Sequence, residues 1–348
     1  MNFRIGPRDI GASAPCFIIA EAGVNHNGDI ALAHQLIDIA VNAGADAVKF
    51  QTFRADRLAA PSAAKATYQK VTTDTDETQL AMLRRLELVP EDFAALKTHC
   101  DRSGIIFLST PFEEESADLL ERLGVAAFKL PSGEVTNLPF LRHVAAKGRP
   151  IILSTGMANM QEVTAAVAAI AEGGLVPLAL LHCTSAYPAD PAESNLRAMA
   201  TLSTAFKVPV GFSDHTPGIA ISIAAVALGA TIIEKHFTID RALPGPDHKA
   251  SLEPRQLAEL VAGIRATEVS LGDGVKQPQP GEQELSNVVR KSLVALRELP
   301  VGTVIESGMV GILRPGSGIP PGFLDAVCGR RLTRSLPAGT PITWDCLE

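Results

Sequence analysis

The sequence holds no basic block or run, no membrane-length apolar stretch and no CxxC pair. The charge balance, 31 Lys and Arg against 38 Asp and Glu for a net −7, argues against nucleic acid or an anionic membrane as partner. A membrane-spanning helix needs about 20 predominantly apolar residues, and the best candidates here are broken by Gly and charge. The first residues, MNFRIGPRDIGASAPCF, have none of the continuous apolar core of a secretory signal. The five cysteines, Cys16, Cys100, Cys183, Cys328 and Cys346, are odd in number and scattered, which excludes a disulfide framework or a zinc knuckle as the organising feature. A cytoplasmic protein with buried thiols is expected.

What is present is alternation. Short apolar runs read as strands: CFIIAEAG (16–23), ADAVKFQT (45–52), IIFLST (105–110), AAFKLPS (126–132), PIILSTG (150–156), LALLHCTS (178–185), VPVGFSD (208–214) and TIIEKHF (231–237). Amphipathic stretches separate them and several end at Gly, as a helix C-cap does. Eight strands alternating with eight helices over about 270 residues predict an α/β fold, a closed (β/α)8 barrel spanning residues 1–272. The polar insert at residues 53–90 reads as an active-site loop with its own short helix. Gly, Pro and Gln in LGDGVKQPQPGEQELS mark a linker at 273–288. Residues 289–348 then read as a small turn-rich domain, marginal alone by surface-to-volume scaling.

In such a barrel the C-terminal ends of all strands face one side. There the sequence delivers Glu21, then Lys49 and Gln51, Ser109-Thr110, Lys129 with Ser132 and Glu134, and Ser154. His182 to Ser185 with Tyr187, Ser213-Asp214-His215 and Glu234-Lys235-His236 complete the ring. Polar groups at all eight strand ends define an active site. Lys49 and Lys129 beside the hydroxyls of Ser132, Ser154 and Ser213 suit a phosphate and a carboxylate on a small ligand. His215 and His236, on neighbouring strands, can share one metal ion and leave positions open for water and substrate oxygens. Glu21, Glu134, Glu234 and Asp247 can bind hydroxyls, hold a metal-bound water or move protons. Each has a plainer reading: a strand-end lysine is commonly an ion-pair residue, an isolated histidine commonly structural, and Tyr187 by itself a turn aromatic. His26 orders the first loop, His182 reads as pocket wall, and His99 and His143 as surface. Strand alternation turns Asp214 away from Ser213 and His215, to serve the loop.

The segments AEAGVNHNG (20–28), VKFQTF (48–53), STPF (109–112), KLPSGE (129–134), ILSTGM (152–157), LLHCTSAYP (180–188), GFSDHT (211–216), EKHFT (234–238) and GPDHKASLEP (245–254) resemble, in order, the motifs of the sialic acid synthases and their legionaminate and pseudaminate relatives. RKSLVA (290–295) and RPGSGI (314–319) resemble the antifreeze-protein-like (SAF) domain that follows the barrel in that family. The resemblance implies condensation of phosphoenolpyruvate with an N-acetylated aminosugar and water, releasing phosphate by C–O cleavage. It implies that Lys49, Lys129, Ser132, Ser154 and Ser213 bind phosphoenolpyruvate. His215 and His236 would hold a divalent Mn2+ or Mg2+. Glu21, Gln51, Glu134, Thr184, Tyr187 and Asp247 would meet the sugar and its reacting end, with Glu134 nearest the proton and water movement. A domain-swapped homodimer is implied, with Arg314 of one subunit reaching the other's pocket. N-acetylmannosamine is the default acceptor and N-acetylneuraminate the product. A diacetamido-trideoxy sugar, giving legionaminate or less readily pseudaminate, is the alternative. Two other readings stay open: a non-catalytic sugar-binding barrel, and a 3-deoxy-sugar-phosphate synthase or aldolase.

Overall fold

The computed structural model describes residues 2–73 and 76–348. The chain divides into two compact units, Met1–Gly272 and Asp273–Glu348. The first opens with an antiparallel hairpin, β1 (Phe3–Ile5) and β2 (Arg8–Ile10). Eight parallel strands follow: β3 (Phe17–Gly23), β4 (Ala47–Thr52), β5 (Ile106–Pro111), β6 (Phe128–Leu130), β7 (Ile151–Ser154), β8 (Leu178–Cys183), β9 (Val210–Asp214) and β10 (Ile232–His236). All eight fall within the runs expected from sequence, give or take one residue. Their order, β5-β4-β3-β10-β9-β8-β7-β6, is a barrel whose ladder is interrupted only between β5 and β6 among the described residues.

Helices cover the barrel: α1 (Ile30–Ala43), then α2 (Ala55–Leu58), α3 (Thr67–Thr72) and α4 (Gln79–Leu86) within the insert, and α5 (Pro90–Ser103). Next come α6 (Glu114–Leu123), α7 (Leu138–Ala145), α8 (Met160–Gly173), α9 (Ala198–Phe206), α10 (Ala220–Ala227) and α11 (Pro254–Leu271). The ends of α1, α5 and α6 are set by Gly44, Gly104 and Gly124, each in the left-handed region. No helix among the described residues is long and apolar enough to cross a membrane. All five cysteines are free, and all but Cys328 are buried.

Period-two alternation sorts each strand into two columns. Outward residues such as Ile18, Ala20, Val48, Phe50 and Phe128 pack under the helices. The inward column begins apolar, with Phe17, Ile19, Ala47, Leu108, Ala127, Ile152, Leu181 and Ile232 in one cluster. Ile5 and Ile10 of the hairpin join that cluster, so the hairpin closes the N-terminal end of the barrel. Sequence reading missed it, because two three-residue strands around Gly6-Pro7 carry too little periodicity. Asp46 ties this end together: it accepts from Ile18 N, pairs with Arg265 of α11 at 2.9 Å and pairs with Arg8 of the hairpin.

The second unit has its own core, including Leu293, Ile305, Val310, Ile319, Val327, Leu336 and Ile342. It contains the antiparallel pair β11 (Ser292–Ala295) and β12 (Val310–Leu313) and a short helix, α13 (Leu324–Val327). The expected linker is not all linker: Pro280–Val289 forms α12. Pro280 stands at the helix start and Glu282 accepts from the Gln279 backbone, so local capping overrides the Gly/Pro/Gln composition.

β9 approaches its neighbours closely at Gly211, where a Cβ would meet the Ile232 carbonyl oxygen at 2.2 Å and Leu181 at 2.8 Å. Gly211→Ala is therefore expected to destabilise the barrel by about 3 kcal/mol, read as a lowered urea midpoint. An unchanged midpoint would mean that the strands are not packed this tightly.

Candidate active site

The inward columns turn polar at a common height. Two residues beyond Ile19, Ala47, Ala127, Ile152 and Ile232 come Glu21, Lys49, Lys129, Ser154 and Glu234, followed on β10 by His236. With Gln51, Thr110, Cys183, Ser213 and His215 they line a cavity of about 400 Å3, a size that suits a small-molecule site. Ser132 and Tyr187, from the loops after β6 and β8, and Asp247, from the loop after β10, also line it. The insert contributes Leu58, Tyr68, Gln69, Gln79, Met82, Leu83 and Leu86, as expected of an active-site loop, though with three helices rather than one.

The floor is a network of buried charge. Lys49, Lys129, Glu21 and Glu234 are each at most 5% exposed. Lys49 Nζ lies 2.7 Å from Glu21 Oε2 and 3.7 Å from Glu234 Oε2, and donates to Thr110 Oγ1 at 2.8 Å. Lys129 Nζ lies 3.5 Å from Glu234 Oε1, which also accepts from Ser213 Oγ at 2.9 Å. Burial pushes the Glu21 carboxyl up, to about 7, against the pull of Lys49. Burial acts the same way on Glu234, but Lys129 and Lys49 outweigh it and hold that carboxyl below its ordinary value. Burial lowers Lys129, whereas Glu21 and Glu234 more than offset it for Lys49, which is raised. The two carboxyls are thus pushed in opposite directions, Glu21 towards its protonated form by burial and Glu234 towards its ionised form by the lysines.

The imidazoles of His215 and His236 stand beside this network, ring centroids 5.5 Å apart. Burial lowers both, so both are neutral, the form that binds metals. His215 Nδ1 bonds the Thr184 carbonyl at 2.7 Å, which leaves Nε2 as the lone-pair nitrogen. His236 Nδ1 is buried without a hydrogen-bond partner. No group of three or more His, Cys, Asp or Glu among the described residues forms a complete metal cage. Two imidazoles alone would leave the remaining ligands of any ion to water and substrate. Asp214 points away, as alternation requires: it accepts from Thr216 and Ser222 and pairs with Lys235 at 2.9 Å.

Ser132 Oγ accepts from Gly156 N at 2.9 Å and lies 3.1 Å from Cys183 Sγ. A Cβ at Gly156 would meet Ser132, Cys183 and Ser185 within 3 Å, so glycine there lets the β7 loop reach the serine. Ser154 Oγ is buried without a protein partner. Gln51 Nε2 lies 3.5 Å from Glu21 Oε1. Tyr187 stacks on His215 at 4.2 Å and on Tyr68 at 5.1 Å.

Several expectations need correcting. Glu134 does not line the cavity; it ends a 3-10 turn and its carboxylate accepts from Asn137 Nδ2 at 2.7 Å. The geometry gives the positions beside the lysines to Glu21 and Glu234 instead. The Thr184 hydroxyl also lies outside the lining, donating to the Glu193 carbonyl; what Thr184 offers the site is the carbonyl that orients His215. His182 is not pocket wall: alternation turns it outward, where it bonds the Ser194 carbonyl and packs on Phe212. Arg314 lies exposed in the second unit, after β12. Sequence reading did not single out Tyr68 or the apolar lining of the insert, since short helices in a polar loop give no periodicity to say which side faces inward.

Fold and site together define a TIM-type barrel with a polar cavity, floored by two buried lysines, at the C-terminal ends of its strands. The chain belongs to the NeuB family, whose model matches residues 36–276, and a SAF domain model matches residues 290–348. It is 48% identical to an N,N'-diacetyllegionaminic acid synthase of Legionella pneumophila, over 99% of this chain and 97% of that protein. It is 52% identical to the protein of the same description from Campylobacter jejuni, over 87% of this chain and 91% of that one. An N-acetylneuraminic acid synthetase structure from Leptospira borgpetersenii superposes with a TM-score of 0.72 at 36% identity, covering 82% of this chain and 95% of that one.

Burial raises the Asp247 carboxyl to about 6. The folded chain then holds a proton that the unfolded chain has lost, so stability falls as pH rises from about 4 to about 6 and stays reduced above. Asp247→Asn is expected to remove that loss and to stabilise the ligand-free protein at neutral pH by up to about 3 kcal/mol, with little effect below pH ~4. Denaturant titrations at the two pH values measure it; equal stability at neutral pH would refute the burial argument.

Proposed function

We propose that this chain condenses phosphoenolpyruvate with a 2,4-diacetamido-trideoxy hexose and water, giving an N,N'-diacetyllegionaminate-type nine-carbon acid and phosphate. The observation that carries the acceptor is the 48–52% identity to two legionaminic acid synthases, against 36% to the N-acetylneuraminic acid synthetase. This favours the alternative over N-acetylmannosamine, which stood as the default because the motifs alone did not separate the two.

In this reading Lys49, Lys129, Ser132, Ser154 and Ser213 hold the phosphate and carboxylate of phosphoenolpyruvate by position and charge. The unpartnered Ser154 hydroxyl supports that assignment, because a buried polar atom without a partner is costly unless a ligand satisfies it. His215 and His236 hold a divalent ion, Mn2+ or Mg2+, which when bound supplies Lewis-acid polarisation of the aldehyde oxygen. Tyr187, Gln51 and Asp247 orient the sugar. The enol carbon forms a bond to the aldehyde carbon, water adds at the former enol carbon, and the C–O bond to phosphate breaks. In this reading Glu21, whose carboxyl burial pushes up, takes the proton transfer rather than Glu134, which does not line the cavity. Glu234 keeps both lysines charged and in register.

Phosphate release from phosphoenolpyruvate is expected to require a divalent metal and sugar, to stop with a chelator, and to run with higher kcat/KM on the diacetamido sugar than on N-acetylmannosamine. The opposite ranking would restore the neuraminate reading, and release without any sugar would sink both. Glu21→Gln is expected to lower kcat by about 100-fold or more with the phosphoenolpyruvate KM little changed, whereas Glu134→Gln lowers it far less.

The reading includes a homodimer in which Arg314 acts in the other subunit's cavity. Mixing Arg314→Ala chains with His236→Ala chains is then expected to restore part of the activity that each lacks. Absence of recovery despite demonstrated subunit exchange would rule the swap out.

A further inference from the structure

The cavity is divided by polarity. The lysines, serines and histidines rise mainly from β4, β6, β7, β9 and β10. Over the ends of β3, β4 and β5 stands an apolar wall of Val24, Leu58, Met82, Leu83, Leu86 and Phe112. Val24, Met82 and Leu86 are buried and hold it together; Leu58, Leu83 and Phe112 are half-buried and keep apolar surface turned to the cavity. Of the polar groups that the insert adds, Gln69 is already engaged: its Oε1 accepts from Ala66 N and its Nε2 donates to Tyr68.

We propose that this wall recognises the distal carbon of the acceptor sugar, selecting a methyl group over a hydroxymethyl group. The proposal rests on the functional reading above. It follows from placement. The reacting end of the sugar must meet the enol carbon beside the lysines and imidazoles at the floor, which leaves the other end of the hexose to the part of the cavity roofed by the insert. A methyl group there buries on Leu58, Leu83 and Phe112. A hydroxymethyl group brings a hydroxyl against side chains that cannot hydrogen-bond it. An apolar pocket rejects an added hydroxyl only moderately, so a preference of about 10- to 100-fold in kcat/KM is expected rather than an absolute one.

Three acceptors separate the contributions: N-acetylmannosamine, its 6-deoxy analogue, and the 2,4-diacetamido-2,4,6-trideoxy sugar. The first pair differs only at C6 and the second only at C4. The wild-type enzyme is expected to prefer the 6-deoxy member of the first pair by about 10- to 100-fold. Leu83→Gln and Leu58→Gln are expected to bring that ratio towards parity while leaving the C4 ratio unchanged, and Leu83→Met to retain it. Parity at C6 in the wild type, with the diacetamido sugar still turned over, overturns the wall and leaves the functional reading intact. Variants that move the C4 ratio and spare the C6 ratio show that the wall meets the acetamido group, which also overturns it. No turnover of any of the three by folded, metal-loaded protein overturns the functional reading and the wall with it.

Discussion

Four charged groups are buried together at the centre of this molecule, and the rest of the site is arranged around keeping them balanced. Lys49 lies within ion-pair range of both Glu21 and Glu234, and Glu234 is shared with Lys129. Removing any one would leave an uncompensated charge away from water, a change that typically costs about 3–5 kcal/mol.

The barrel makes that cluster possible by geometry. Each inward column spends its first residues on an apolar plug, completed by Ile5 and Ile10 of the hairpin, and its last on polar groups. One residue of register slip would exchange the inward and outward columns, sending Lys49 and Glu234 under the helices and Phe50 and Lys235 into the cavity. The outward pair Asp214 and Lys235 shows that the arrangement extends to both faces: they neutralise each other behind the site and fix the loop that carries His215. The insert after β4 then supplies what the strands cannot, an apolar side to an otherwise polar cavity.

Much of this was legible in the chain. All eight barrel strands are apolar runs that end in polar residues, and a change of composition near residue 272 marks the end of the first unit. Lys49, Lys129 and Ser154, each two residues beyond an inward apolar position, line the cavity as alternation, a local rule, requires. Local rules failed where the chain leaves the strands. Glu134 follows Lys129 closely in sequence, yet a 3-10 turn carries it out of the lining to Asn137. Thr184 presents a carbonyl where a hydroxyl was expected, and Tyr68 enters from a helix with no readable inward face. The acceptor sugar was left open for a related reason: short motifs report the chemistry common to the family, while identity over the whole chain also weighs the insert.

The sequence by itself determined the fold class, the side of the barrel on which polar groups gather and the residue types available there, since periodicity and composition are properties of neighbouring residues. Only the tertiary structure decided which carboxyls face the lysines, which way burial and charge push each of them, which histidine nitrogen is left free and which wall of the cavity is dry. Those outcomes depend on desolvation and on charge–charge distance, and both are set by residues far apart in the chain that meet only when the barrel closes.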